Sequence, residues 1–257
     1  MQSLFCIKLG GSVITDKSKP YTFNEKAIRS IAKILKQIKT PLLISHGAGS
    51  FAHTSAKKYG GNNGYKSKLG IAKVCLDADE INSLVMKIFL EEKLPAISFG
   101  PRSFLITKKG QLEKYFFDPI LQTLSQGLIP VIYGDVIFDE VQKTTIFSGE
   151  TTLSILAKYL QKNDFDIPQI IQLSDVDGVM DQQKKIIPEI TSKNWPEIKK
   201  TIINNNAVDV TGGMMHKIEN ALELTKHKIQ TKIVKGKNIN NLKHIVNEES
   251  FIGTLIK

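Results

Sequence analysis

The chain has 257 residues, 41% hydrophobic and 23% charged, a balance typical of globular proteins and unlike that of disordered or fibrous ones. Its net charge of +10 comes mostly from dispersed lysines, without a dense basic block or interleaved aromatics, so no nucleic-acid partner is expected. No apolar run reaches the roughly 18 residues needed to span a bilayer, so no membrane partner is expected. The first nine residues lack the basic segment and cleavage site of a signal peptide, and the two distant cysteines, Cys6 and Cys75, fit a reducing cytoplasm.

Taken in chain order, short apolar runs alternate with helical patterns. Leu4–Leu9 reads as the first strand. Thr22-Phe-Asn-Glu25 resembles a capping box, and Ile28, Ile31, Leu35 and Ile38 then recur on one helical face. Leu42–Ser45 is the next strand, followed by a glycine-rich segment and a helix around Val74–Leu90. Strands at Ala96–Phe99 and Ile129–Tyr133 are separated by a hairpin around Arg102–Phe117, and a second hairpin covers Asp135–Phe147. A helix from about Thr151 to Gln161 turns Leu153, Leu156, Ala157 and Leu160 inward, with Ser148 as its cap. Ile170–Leu173 and Lys232–Val234 are strands. Between them a polar loop, Asn204–Asn206, leads to a helix opening at Gly212-Gly213 and carrying Ile218, Ala221, Leu222 and Thr225. Most strands are continuous Leu/Ile/Val rather than alternating, as parallel strands covered on both faces require. The pattern predicts an α/β fold, a three-layer αβα sandwich around a mainly parallel open sheet, with the hairpins added antiparallel over one end.

Three clusters of glycine and charge stand out. In Lys8-Leu-Gly-Gly-Ser12, Lys8 ends a strand, Gly10 and Gly11 let the backbone approach a ligand, and Ser12 adds a hydroxyl; Lys17 follows in the next loop. In His46-Gly-Ala-Gly-Ser-Phe-Ala-His53, small residues expose backbone amides, and His53 falls one turn into a helix facing the same ligand. In Asp209-Val-Thr-Gly-Gly-Met-Met-His-Lys217, the expected helix start puts Lys217 in the first turn. There the macrodipole disfavours a cation by about 0.3–1 kcal/mol unless an anion reverses the balance. Any one cluster is also what a tight turn with exposed lysines provides. Together they suit a polyphosphate along the tips of a parallel sheet. Neither a Walker A loop nor a Gly-x-Gly-x-x-Gly fingerprint is present. Carboxylates follow strands at Tyr133-Gly134-Asp135 and Ser174-Asp175-Val-Asp-Gly178, and Glu150 follows Ser148-Gly149. Phosphoryl transfer needs cations, amides and Mg²⁺ on the nucleotide more than a nucleophile.

In this order, over almost the whole chain, the motifs resemble the amino acid kinase family. The glycine loop ending in His53, followed by Ala56-Lys57-Lys58-Tyr59, resembles the isopentenyl phosphate kinases within it. The resemblance implies one domain over residues 1–257, usually a homodimer, with the acceptor over the amino-terminal half and ATP over the carboxyl-terminal half. The implied reaction converts ATP and isopentenyl phosphate to ADP and isopentenyl diphosphate. Mg²⁺ would be carried on the ATP phosphates, not by a metal site of the protein. By the same resemblance Lys8, Lys17 and Lys217 are catalytic cations at the transferred phosphoryl group, and Glu150 orients the lysines. Gly47, Gly49, His53 and Gly149 hold the substrate phosphate. Lys8, Gly10, Gly11, Ser12, Ala48, Asp175, Gly178, Gly212 and Lys217 meet ATP, and the isoprenoid tail enters an apolar pocket built partly by the helix around Val74–Leu90.

The chain departs from the family pattern at Glu150 (usually Asp), Ala48 (usually a third glycine) and Ser174 (usually Thr). Two other readings stand beside this one. One is a kinase of another small anion, such as a phosphonate of the fosfomycin type, a carboxylate or a nucleoside monophosphate. The other is a nucleotide-binding sensor on the same scaffold.

Overall fold

A computed structural model describes residues 1–16, 18–60, 65, 67–202 and 213–257. In chain order the amino-terminal part forms β1 (Gln2–Ser3), β2 (Phe5–Leu9), α1 (Gly11–Ile14), α2 (Glu25–Leu35), β3 (Leu42–His46), α3 (Gly49–Tyr59) and α4 (Lys68–Glu91). The middle forms β4 (Ala96–Phe99), β5 (Leu105–Lys108), β6 (Gln111–Tyr115), α5 (Asp118–Ser125), β7 (Ile129–Tyr133), β8 (Asp135–Asp139) and β9 (Lys143–Phe147). Then come α6 (Gly149–Gln161), β10 (Phe165–Asp166), β11 (Gln169–Ser174), β12 (Glu189–Ile190), α7 (Trp195–Thr201), α8 (Gly213–Thr225), β13 (Gln230–Lys235), α9 (Ile239–Val246) and β14 (Thr254–Ile256).

The main sheet runs β12-β14-β13-β11-β2-β3-β7-β4. Its pairs are parallel except β13 with β14. The central strands are buried along almost their whole length, and successive side chains alternate between the two faces. Ile7, Leu9, Ile44, Val131 and Leu173 pack with α2, α4 and α9, while Cys6, Leu43, Ile132 and Ile170 pack with α5, α6 and α8. This is the expected αβα sandwich. β2 lies centrally, with β3 on one side and β11 on the other, so strand order reverses there. Ligands of open α/β sheets sit beyond the strand tips at such a reversal.

The two hairpins predicted from the sequence join as a second sheet, β6-β5-β8-β9. The hairpins are antiparallel, but β5 pairs with β8 in parallel, which a purely antiparallel addition did not anticipate.

Local signals account for two helix starts, with one correction. Ser148 caps α6 by accepting from the Thr151 amide at 3.0 Å, as read from the sequence. For α2 the cap is Asn24, accepting from the Ala27 amide at 3.2 Å. Thr22 instead accepts from the Asp16 amide at 2.9 Å, so its hydroxyl closes the preceding loop and no capping box forms. β4 is the edge strand of the main sheet among the described residues, and its Ile97 is 41% exposed.

Candidate functional site

The tips of β2, β3 and β7, the start of α6 and the first turns of α8 surround one cavity. At one end lie Lys8, Gly10, Gly11, Ser12, Gly47 and Ala48, joined by Gly149, Glu150 and Lys217. Ala52, Ala56, Val74, Val136 and Ile146 form an apolar end, where they pack together beside Asp135, and half-buried His53 completes the lining. Of the residues singled out in the sequence, Gly49, Asp175 and Gly178 are outside this lining. Gly49 sits directly behind it. Asp175 is exposed at the end of β11 and Gly178 is packed in the turn that follows. Lys17 and Gly212, with the rest of the Asp209–Gly212 stretch, lie outside the described residues.

Two glycine segments build the polar end by packing against each other. A Cβ on Gly47 would stand 2.8 Å from the Gly11 amide nitrogen, and one on Gly11 would stand 2.9 Å from Gly49 Cα. Gly49 also has φ +52°, and a Cβ there would lie 2.3 Å from Thr15 Oγ1. That hydroxyl is committed: it donates to the Gly11 carbonyl at 2.6 Å and accepts from the Ser50 amide at 2.9 Å. The glycines thus serve loop-to-loop contact as well as any ligand. Backbone amides at the start of α3 and α6 add their dipoles to this end, a disposition that favours anions.

Charges are arranged in pairs. Lys8 Nζ stands 3.6 Å from Glu150 Oε2, and both residues are buried. Glu150 Oε1 is also buried and accepts no hydrogen bond among the described residues. Glu150 is the second residue of α6, where a negative charge is favoured by the helix dipole. Lys217 lies in α8, in its described span Gly213–Thr225. The residues immediately before Gly213, where the sequence places the opening of this helix, lie outside the described residues. The cavity also gathers His216, beside Lys217.

Several contributing side chains were not foreseen. His46, fully buried at the end of β3, stacks on Tyr133 at 5.6 Å between ring centroids. Its ring nitrogens lie 3.0 Å from the Gly47 carbonyl and 3.1 Å from Asn82 Oδ1, and burial pushes its pKa down, which favours the neutral ring. Asp135 is pushed up to about 6 by burial, which Arg102 only partly offsets. A signal for these existed. Asp77, Asp79 and Asn82 interrupt the apolar pattern of α4, and Asp77 and Asn82 prove buried. Each reaches a different loop, through Tyr21, Arg102 and His46 respectively.

Comparison with known proteins bears on this geometry. The family model described as the amino acid kinase family matches residues 3–235. The isopentenyl phosphate kinase of Thermoplasma acidophilum is 30% identical, covering 99% of this chain and 100% of that protein. That of Methanocaldococcus jannaschii is 29% identical, covering 93% of each. A crystal structure of an isopentenyl phosphate kinase superposes with a TM-score of 0.82 at 26% identity, covering 98% of this chain and 100% of that one.

Proposed function

The chain belongs to the amino acid kinase family, and we propose that within it the protein is an ATP-dependent isopentenyl phosphate kinase. It transfers the γ-phosphoryl group of ATP to isopentenyl phosphate, giving isopentenyl diphosphate and ADP. The observation that carries the reading is the two-ended cavity. Cations and bare amides gather at one end and small apolar side chains at the other, as a short hydrocarbon ending in a phosphate requires. A carboxylate or nucleotide acceptor would have no use for an end made of Ala52, Ala56, Val74, Val136 and Ile146.

In this reading Gly47, Gly49, Gly149 and His53 hold the acceptor phosphate, the backbone through its amides and His53 through a ring N–H. Lys8, Lys17 and Lys217 neutralise the group in flight, and Glu150 keeps Lys8 aimed at it. ATP enters over the carboxyl-terminal half, meeting Gly10, Gly11, Ser12, Ala48, Asp175, Gly178 and Gly212. Magnesium fits best as a passenger on the nucleotide phosphates. The carboxylates lining the cavity, Glu150 and Asp135, face Lys8 and Arg102, and no three potential ligands converge among the described residues. The ion would supply charge neutralisation of the nucleotide phosphates.

The same reading takes residues 1–257 as one domain, working as a homodimer in the cytoplasm. The open edge at β4 and the exposed Leu69, Leu76 and Leu90 of α4 support self-association. Two unpaired cysteines and the lack, among the described residues, of any helix able to cross a membrane are in keeping with that location.

The test is a substitution at the histidine of the cavity lining. His53→Ala should raise KM for isopentenyl phosphate by about tenfold while leaving KM for ATP nearly unchanged. An equal loss of both affinities would contradict the placement of the acceptor phosphate.

A further inference from the structure

Two carboxylates stand in the wall of a cavity that has to admit an anion, and both are nearly sealed from water: Asp135 is 4% exposed and Glu150 5%. Left without a counter-charge, either would repel an incoming phosphate, and the low local dielectric would strengthen the effect. Glu150 is answered from within the cavity by Lys8. Asp135 is answered from outside it. Arg102, which is not among the lining residues, donates from Nη1 to Asp135 Oδ2 at 2.5 Å.

The other arm of the guanidinium donates from Nη2 to Asp79 Oδ2 on α4. Asp79 Oδ1 in turn accepts from the Tyr133 hydroxyl at 2.7 Å. Asp135 Oδ1 accepts from the Val136 amide at 2.8 Å, so both its oxygens are engaged. Tyr133 ends β7, and the next residue, Gly134, donates its amide to the His46 carbonyl at 3.0 Å, at the head of the glycine loop. One guanidinium therefore spans α4 and the corner where β7 passes into β8. That corner is hydrogen-bonded to the loop expected to hold phosphate.

We propose that Arg102 is a positioning residue for acceptor binding: it cancels the Asp135 charge beside the phosphate loops and fixes the β7–β8 corner against α4. The planar fork matters, because its two arms meet Asp135 and Asp79 in a fixed relative geometry that the compact, rotating ammonium of a lysine does not hold. The assignment rests on the functional reading above, and its test separates the two.

Steady-state kinetics with Mg-ATP and isopentenyl phosphate would compare the wild type, Arg102→Lys, Arg102→Gln, Asp135→Asn and the double variant Arg102→Gln/Asp135→Asn. Loss of the cation should raise KM for isopentenyl phosphate by about tenfold or more, with kcat and KM for ATP moving less than about threefold. Arg102→Lys should fall between the wild type and Arg102→Gln. Adding Asp135→Asn should bring KM back to within about threefold of Asp135→Asn alone, since no buried anion is then left unanswered. A merely structural arginine would give no such rescue. An unchanged KM in Arg102→Gln, or a double variant no better than Arg102→Gln, would overturn the assignment. Should Arg102→Gln fail to fold, Arg102→Lys with and without Asp135→Asn carries the same comparison. If the wild type does not turn over isopentenyl phosphate, the functional reading fails, and calorimetric titration with inorganic phosphate reads the same series. Affinity is expected to fall from wild type through Arg102→Lys to Arg102→Gln and to recover in the double variant. Equal phosphate affinities would refute the role of Arg102.

Discussion

Glu150 is the residue at which the chain departs most from its family pattern, and changing it to glutamine tests the catalytic end of the cavity. The substitution keeps the shape and removes the charge 3.6 Å from Lys8. With an effective dielectric of about 20, that charge attracts the ammonium by ~5 kcal/mol before desolvation is counted. Removing one member of a buried pair typically costs about 3–5 kcal/mol. If the lower figure falls on the transition state, where Lys8 meets the most negative charge, kcat drops by about a hundredfold. The orphaned Oε1 adds to this expectation, because glutamine would leave an amide group in the same dry position. A coupled ADP-release assay reads kcat, and a thermal melt confirms folding. Glu150→Asp, which restores the carboxylate the family pattern leads one to expect, should stay within about tenfold of wild type. A folded Glu150→Gln protein with wild-type kcat would refute the assignment of Glu150 as the group that aims Lys8.

Two further substitutions probe the scaffold. Gly49→Ala forces a methyl group against Thr15 at a left-handed backbone position and should cost about 2–4 kcal/mol in denaturant unfolding. Thr15→Ala on top should recover the overlap part and not the backbone part, whereas a neutral Gly49→Ala would mean that the loops do not pack as described. Burial also raises Asp135 to about 6, so the folded state holds this proton more tightly than the unfolded chain does. Its contribution to stability is therefore full below the ordinary carboxylate pKa and is lost as pH rises towards 6, by up to about 3 kcal/mol. Melting temperatures of wild type and Asp135→Asn should accordingly diverge in favour of the variant by several degrees between about pH 4.5 and 7.5. A gap independent of pH would contradict the burial argument.

Much of the molecule was legible because its signals are local. Continuous apolar runs give away β2, β3, β7 and β11, since strands covered on both faces need no polar side. Ser148 announces α6 because a cap is chosen within three residues of its partner. The glycine segments mark the strand tips, since a Cβ on either would stand under 3 Å from the facing backbone. What stayed hidden depends on distant partners. Nothing near Arg102 in the sequence reveals that it bridges Asp79 and Asp135, 23 and 33 positions away. Likewise Thr22 and Asn24 are both good caps, and only the fold decides that the Thr22 hydroxyl is spent on Asp16 and Ser50.

The proposed activity is phosphorylation of a short prenyl phosphate in this cavity. The most direct test is ADP release with Mg-ATP across isopentenyl phosphate, dimethylallyl phosphate, geranyl phosphate, fosfomycin, glutamate and uridylate. Turnover on isopentenyl phosphate, alone or with its isomer, is the predicted result and would show that Glu150 is tolerated in place of aspartate. A folded protein that binds ATP and stays silent on every prenyl phosphate would rule out a prenyl phosphate kinase.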